Sequence, residues 1–155
     1  MGAARRLCLV QHGEALSEAE HPERPLSASG RADVEALADV LALAAPLRPE
    51  RVLHSGKRRA RETAELIAAR LGIGALEEAG VLAPRGDPRE AARLLEAGGD
   101  LLAVTHMPLV ASLAAHLLGG AELAFRPGTA ACLERDEAGR WRLVWLLPPE
   151  VLRRR

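Results

Sequence analysis

The chain has 155 residues, of which 48% are hydrophobic, and this length and composition predict one globular domain over residues 1–155 with a sizeable core. Its 21 basic residues balance 21 acidic residues, so the net charge gives no field that attracts nucleic acid, and no nucleic-acid partner is expected. No apolar run has the length of a membrane span or of a signal-peptide core, which favours a cytoplasmic protein without a membrane partner.

The first predicted element is a buried strand, because Leu7-Cys8-Leu9-Val10 is an unbroken apolar run that stops at Gln11-His12-Gly13. The polar segment from Ala15 to Pro25 contains two prolines and is predicted to be a loop over the carboxyl end of the sheet. Ser27 is a candidate N-cap for a helix that ends before Pro46. Apolar residues recur along this helix at helical spacing, at Val34, Leu37, Leu41 and Ala44.

The next segment continues the alternation of strand and helix. Arg51-Val52-Leu53-His54 reads as a second strand, and Ser55-Gly56 turns the chain into a second amphipathic helix that ends at Gly72. The composition of residues 73–81 favours a short strand, whereas Gly74 and Gly80 within this segment disfavour one. The chain therefore begins with a βαβα pattern.

Two more helices flank another buried strand. Asp87-Pro88-Arg89-Glu90 combines an N-cap aspartate, a proline at the first helical position and a capping-box glutamate, and it predicts a helix that ends at Gly98-Gly99. The run Leu101-Leu102-Ala103-Val104-Thr105 is typical of a buried strand. Pro108 is predicted to start a helix that Gly119-Gly120 ends.

The last segment predicts an antiparallel pair, because residues 129–135 and 140–147 flank Asp136-Glu137-Ala138-Gly139, which has the composition of a hairpin turn. Trp141, Leu143 and Trp145 alternate along the second strand and are predicted to share its core-facing side. Cys8 and Cys132 both lie in apolar strand contexts and are predicted to be small core residues. The fold class that follows is α/β, a three-layer α/β/α sandwich with a mostly parallel sheet and an antiparallel C-terminal edge.

Two of the most apolar predicted strands each end in a histidine, His12 and His106. Ligands bind beyond the carboxyl ends of parallel strands, so both imidazoles are expected above the same sheet edge. Ser55-Gly56-Lys57-Arg58-Arg59 brings basic groups to the start of a helix whose amino terminus itself favours anions. Together these features predict a phosphate site.

At this point the chain resembles a known family. Four motifs carry the resemblance, and in chain order they are Gln11-His12-Gly13, Pro25-Leu26-Ser27-Ala28-Ser29-Gly30, Ser55 with Arg59, Ala60 and Thr63, and Thr105-His106-Met107-Pro108. Each motif is weak by itself, whereas four in this order are specific, and they span nearly the whole chain. The chain is identified as a member of the histidine phosphatase superfamily, in the small SixA-like branch typified by bacterial phosphohistidine phosphatases. The resemblance implies a histidine phosphatase (phosphoglycerate mutase-like) fold.

The resemblance also implies an activity and a set of site residues. The chain would hydrolyse phosphoric monoesters or phosphohistidine, with His12 as the nucleophile that carries the phosphoryl group. His106 and Arg59 would donate hydrogen bonds to the phosphoryl oxygens, and Gln11 and Arg24 would complete the phosphate-binding set. No metal and no cofactor are expected. The expected partner is a phosphorylated protein or a small phosphorylated substrate.

Two departures from the family pattern leave alternatives open. The family's motif arginine is Gln11 here, which removes a fixed positive charge from the phosphate site, and Arg24 is a candidate for partial compensation. Larger members carry an acidic residue in a long insertion, where this chain has only Glu77 and Glu78, which read as solvated surface residues. The first alternative is therefore an impaired homologue that binds phosphorylated partners. The second is a small-molecule phosphomonoesterase.

Overall fold

The computed structural model describes residues 5–43 and 47–153, and within them it has six strands and four helices. The strands are β1 (Arg5–Gln11), β2 (Arg51–His54), β3 (Leu76–Glu78), β4 (Leu101–Thr105), β5 (Ala130–Arg135) and β6 (Trp141–Leu147). The helices are α1 (Ala28–Leu43), α2 (Arg58–Leu71), α3 (Pro88–Glu96) and α4 (Leu109–Leu117). The predicted end of the first helix at Ala44 to Pro46 lies outside the described residues.

All six strands form one sheet in the order β3-β2-β4-β1-β5-β6. Strands β3, β2, β4 and β1 are parallel, whereas β5 runs antiparallel to β1 and β6 antiparallel to β5. The predicted mostly parallel sheet with an antiparallel C-terminal edge is therefore confirmed. The short strand predicted within residues 73–81 is β3, and it forms the other edge of the sheet.

Two apolar layers, one on each face of the sheet, explain why the helices pack as they do. Along β1, Leu7 and Leu9 point into the layer covered by α3 and α4, whereas Cys8 and Val10 point into the layer covered by α1 and α2. This alternation follows from the two-residue period of a strand, and it gives the three-layer sandwich that the sequence predicts. Cys8 and Cys132 are both buried free thiols in the second layer, as predicted.

The helix boundaries follow the capping signals in the sequence. Ser27 Oγ accepts a hydrogen bond from Gly30 N at 3.0 Å, and Asp87 accepts one from Arg89 N at 2.8 Å, as N-cap residues do. Gly72 ends α2 with a φ of 69°, a left-handed conformation that glycine adopts without steric cost. Within residues 5–43 and 47–153, no helix has both the length and the apolar character needed to cross a bilayer.

The prediction that three apolar residues of β6 share one face is wrong. Trp141 packs in the α3 and α4 layer, whereas Trp145 packs against the opposite layer, and Leu143 is 40% exposed. The cause is a β-bulge: Cys132 pairs with Trp145 while the next residue of β5 pairs with Leu143, so β6 has one extra residue at this point. Past the bulge, the alternation of side chains is reversed.

Candidate phosphate site

The strand register brings the two predicted histidines together. Strands β1 and β4 are parallel neighbours in which Gln11 pairs with Thr105, so the next residue of each strand is a histidine. His12 N donates a hydrogen bond to the Thr105 carbonyl oxygen at 3.0 Å, and the ring centroids of His12 and His106 are 4.8 Å apart. Both imidazoles are buried at the carboxyl edge of the parallel strands.

A backbone contact defines the proton position on His12. Its Nδ1 lies 2.7 Å from the Gly13 carbonyl oxygen, and because a carbonyl only accepts, Nδ1 carries the proton and Nε2 carries the lone pair. Burial lowers the pKa of His12 to about 4, and the charges of Arg59 and Arg24 act in the same direction, against the hydrogen bond to Gly13. At neutral pH the ring is therefore neutral, with a nucleophilic nitrogen.

His106 is held by a side chain from the adjacent strand end. Its Nε2 lies 2.6 Å from Ser55 Oγ, and the same hydroxyl accepts a hydrogen bond from Lys57 N at 3.3 Å. When the hydroxyl donates to Nε2, the ring proton resides on Nδ1, which is then available as a donor. Burial lowers the pKa of His106 to about 3, assisted by the charges around it, so this ring is also neutral at pH 7.

A threonine joins the start of α2 to the end of β1. Thr63 is fully buried, and its Oγ1 accepts a hydrogen bond from Gly13 N at 3.0 Å while donating to the Arg59 carbonyl oxygen at 2.8 Å. This pair of contacts ties the backbone of Arg59 to that of Gly13, the residue after His12. Burial is also the main cause of a lowered pKa for the Arg59 guanidinium.

Arg24 reaches the site from the loop that follows β1. It adopts a positive φ of 49°, which is uncommon for a residue with a side chain, and its Nε donates to the Leu16 carbonyl oxygen at 3.0 Å. Its charge lowers the pKa values of His12, His106 and Arg59, so the guanidinium lies close enough to act on all three groups. Arg24 and Arg59 also line the same cleft, and the charge of each acts on both histidines.

Unpartnered polar atoms concentrate at this edge of the sheet. In the described part of the chain, four buried side-chain polar atoms have no hydrogen-bond partner, and three of them are Gln11 Oε1, Arg59 Nε and His106 Nδ1. Buried polar groups are almost always paired, because an unpaired one costs about 1–3 kcal/mol. These three unpaired groups come from three different segments of the chain, and together they indicate that a polar ligand binds at the carboxyl edge of the parallel strands.

Sequence reasoning missed the side chains that hold His106 and Gly13. Ser55 and Thr63 both belong to a quoted motif, but nothing in the spacing assigns Ser55 to His106 or Thr63 to the amide of Gly13. The expectation for the two glutamates of β3 holds, because both are exposed, and Glu77 pairs with Arg51 at 2.7 Å. Across residues 5–43 and 47–153, no three histidine, cysteine or acidic side chains are grouped in a way that would hold a metal ion.

A parallel sheet edge with two neutral histidines and arginines nearby is suited to phosphoryl groups, which several families of α/β proteins handle. The model of one such family, the histidine phosphatase superfamily (branch 1), matches residues 7–81. No curated protein sequence matches the chain. The chain belongs to the histidine phosphatase superfamily and has a SixA-like structure.

Solved structures extend the likeness over nearly the full chain. A structure of the protein histidine phosphatase SixA with tungstate is 28% identical, with a TM-score of 0.86, and the match covers 96% of this chain and 99% of that one. A SixA protein from Agrobacterium tumefaciens is 22% identical over 96% of this chain and 100% of its own, with a TM-score of 0.80. The mycobacterial glucosyl-3-phosphoglycerate phosphatase with VO3 is 20% identical over 92% and 99%, with a TM-score of 0.72. The last two show the shared fold alone.

Proposed function

We propose that this chain is a metal-independent phosphatase that acts through a phosphohistidine on His12, with protein phosphohistidine as its preferred substrate. The observation that carries the proposal is the neutral His12 ring, whose Nδ1 donates to the Gly13 carbonyl oxygen and whose Nε2 keeps its lone pair. A neutral imidazole nitrogen is a nucleophile, whereas a protonated one is not. The unpartnered donors of Arg59 and His106 support a phosphoryl group as the electrophile.

The reaction has two steps. His12 Nε2 attacks phosphorus, the bond from phosphorus to the leaving group breaks, and the leaving group takes up a proton. Water then attacks the phosphohistidine, which releases inorganic phosphate and restores Nε2. In both steps Arg59 and His106 donate hydrogen bonds to the equatorial oxygens, where the transition-state charge is spread.

The choice of protein phosphohistidine rests on the leaving group. An alkoxide leaves readily only when an acid protonates it, whereas imidazole is a weaker base and needs less help. Glu77, at the edge of the sheet, is already paired with Arg51. The likeness to a protein histidine phosphatase supports the same substrate class.

A second function is favoured by one residue, Gln11. This side chain is 6% exposed and uncharged at the position of the family's arginine, which fits a homologue that binds phosphorylated partners with little or no turnover. The two functions differ in one observable. Only the enzyme passes a phosphoryl group onto His12 and then releases it.

The test is phosphoryl trapping with a 32P-labelled small phosphodonor, followed by rapid quenching at high pH, where phosphohistidine survives. We expect label on the wild-type chain and none on His12→Ala, and release of phosphate from phosphohistidine and p-nitrophenyl phosphate only by the wild type. Tungstate, a tetrahedral oxyanion like phosphate, should compete with both substrates. Label on the His12→Ala chain, or turnover by it, would contradict the covalent mechanism.

A further inference from the structure

A wide cleft on the surface of the protein has mainly basic walls. It has a volume of about 580 Å³ and lies between the loop after β1 and the start of α2. Its charged lining residues, which we call the basic cleft, are Arg24, Lys57, Arg58, Arg59 and Arg61, with Glu18 and Glu23 opposing them. Arg24 and Arg59 also belong to the candidate phosphate site, so the cleft and that site share two arginines.

The charges of the basic cleft do not cancel locally. Glu23 is bound to Arg58 at 2.7 Å, and Arg58 also contacts Glu62, so this arginine is neutralised. Lys57 is exposed and has no ion pair among the described residues. Arg61 is half exposed, and its only ion pair among the residues described is a 3.5 Å contact with Glu65, which solvent screens. The remaining positive charge stands out in a chain whose formal net charge is zero.

We propose that the basic cleft binds acidic residues that flank the phosphorylated side chain of a protein substrate. This inference rests on the proposed function, because the phosphoryl group would occupy the histidine site while the flanking residues lie along Lys57 and Arg61. The volume of the cleft leaves room for several side chains beyond a phosphoryl group. Carboxylates in this position complement the ammonium and guanidinium groups that the protein itself leaves unneutralised.

The composition of the cleft favours an acidic protein segment over nucleic acid. Proteins that bind single-stranded nucleic acid combine basic grooves with aromatic platforms on which bases stack. In the part of the chain that the structure describes, no aromatic side chain lines the basic cleft, and aromatic residues make up 2% of the sequence. The glutamates at the rim, Glu18 and Glu23, would also oppose a continuous phosphate backbone.

The first test compares three phosphohistidine peptides that differ only in their flanking residues, which are aspartate, alanine or lysine. We expect wild-type kcat/KM to be about 3-fold or more higher for the acidic than for the neutral peptide at low ionic strength, because each exposed charge pair contributes modestly. Added salt should remove this preference. Equal kcat/KM for the three peptides, in a chain that does turn them over, would overturn the inference.

A charge reversal in the cleft, compared with a matched control, tests whether the cleft causes the preference for the acidic peptide. Arg61→Glu should abolish this preference, because the new carboxylate opposes the charge that remains on Lys57. Arg31→Glu is the control, because Arg31 also has an exposed side chain on a helix and a pair with a glutamate four residues later, but lies outside the cleft. An equal effect of both substitutions on the ratio between peptides would contradict the assignment.

The second test does not depend on turnover. Lys57 is the only lysine of the chain, so an amine-reactive acylating reagent modifies it and the amino terminus alone. We expect an unphosphorylated aspartate-rich peptide to slow acylation of Lys57 about 3-fold or more, with no change at the amino terminus. Protection by a single-stranded oligonucleotide but not by the peptide would overturn the inference. If the peptide protects Lys57 but the protein hydrolyses no phosphodonor, the proposed role of the cleft would stand and the proposed phosphatase activity would be refuted.

Discussion

Replacing Gln11 by arginine tests the phosphate site most directly. Gln11 ends β1, is 6% exposed, and its Oε1 has no partner among the residues described, so the new guanidinium would enter the place that we propose for phosphate. A charge-assisted hydrogen bond is about twice as strong as a neutral one. A contact that stabilises the transition state by about 1.4 kcal/mol raises the rate about 10-fold. We therefore expect Gln11→Arg to raise turnover about 10-fold or more.

The same substitution has a cost in the free protein. Burial already lowers the pKa of Arg59, and the charge of Arg24 lowers it further, so another buried guanidinium next to them is unfavourable without an anion. We expect a lower free energy of unfolding for the variant in phosphate-free buffer. Phosphate should restore it, because a ligand that binds only the folded state stabilises that state by mass action.

Steady-state kinetics and phosphate titration on the wild type and the variant separate three outcomes. Higher turnover supports a weakened enzyme, whereas turnover near zero with tighter phosphate binding supports a protein adapted for binding. Lower turnover in Gln11→Arg would refute the view that glutamine at this position weakens catalysis. It would mean that the Gln11 amide has a role of its own, such as orienting water. Gln11→Met is the control, because it keeps the length of the side chain without the amide.

Three further predictions concern the groups around His12. Ser55→Ala should lower kcat roughly 10-fold by leaving His106 Nε2 unpaired, and Ser55→Thr should retain most activity, as p-nitrophenyl phosphate assays would measure. Thr63→Val should lower the free energy of unfolding by about 1–3 kcal/mol in urea titrations, because the Gly13 amide loses its acceptor, whereas Thr63→Ser should not. Between pH 6.5 and about 4, His12 and His106 take up protons in the unfolded chain but not in the folded chain. Lowering the pH through this range should therefore lower the free energy of unfolding, by up to about 1.4 kcal/mol per pH unit for each histidine. His106→Gln should show a shallower slope.

Local signals in the sequence were sufficient for most elements of the fold. The N-caps at Ser27 and Asp87 and the left-handed glycine at position 72 act within one turn of the chain, so they can be identified without tertiary information. The buried strands β1 and β4 are short apolar runs with polar residues at their carboxyl ends. These features depend on neighbouring residues, which a single sequence contains.

Features that depend on pairing between distant residues were less accessible. The bulge that puts Trp141 and Trp145 on opposite faces arises from the pairing of β6 with β5. In the sequence, Trp141, Leu143 and Trp145 are spaced as they would be in a strand without a bulge. The contact of Ser55 with His106 joins residues 51 positions apart. The resemblance to the family identified both as motif residues, but only the order of the strands brings Ser55 to the ring of His106.

The chemistry of the two histidines depends on burial and on neutral partners. A carboxylate beside an imidazole favours the charged ring and raises its pKa, whereas here His12 bonds to a carbonyl and His106 to a hydroxyl. Desolvation then dominates, and the arginines nearby act in the same direction. The ring of His12, which we propose as the nucleophile, therefore stays neutral over the whole physiological range. The positive charges that would complement a phosphoryl group therefore assist burial in keeping this ring unprotonated before the attack that we propose.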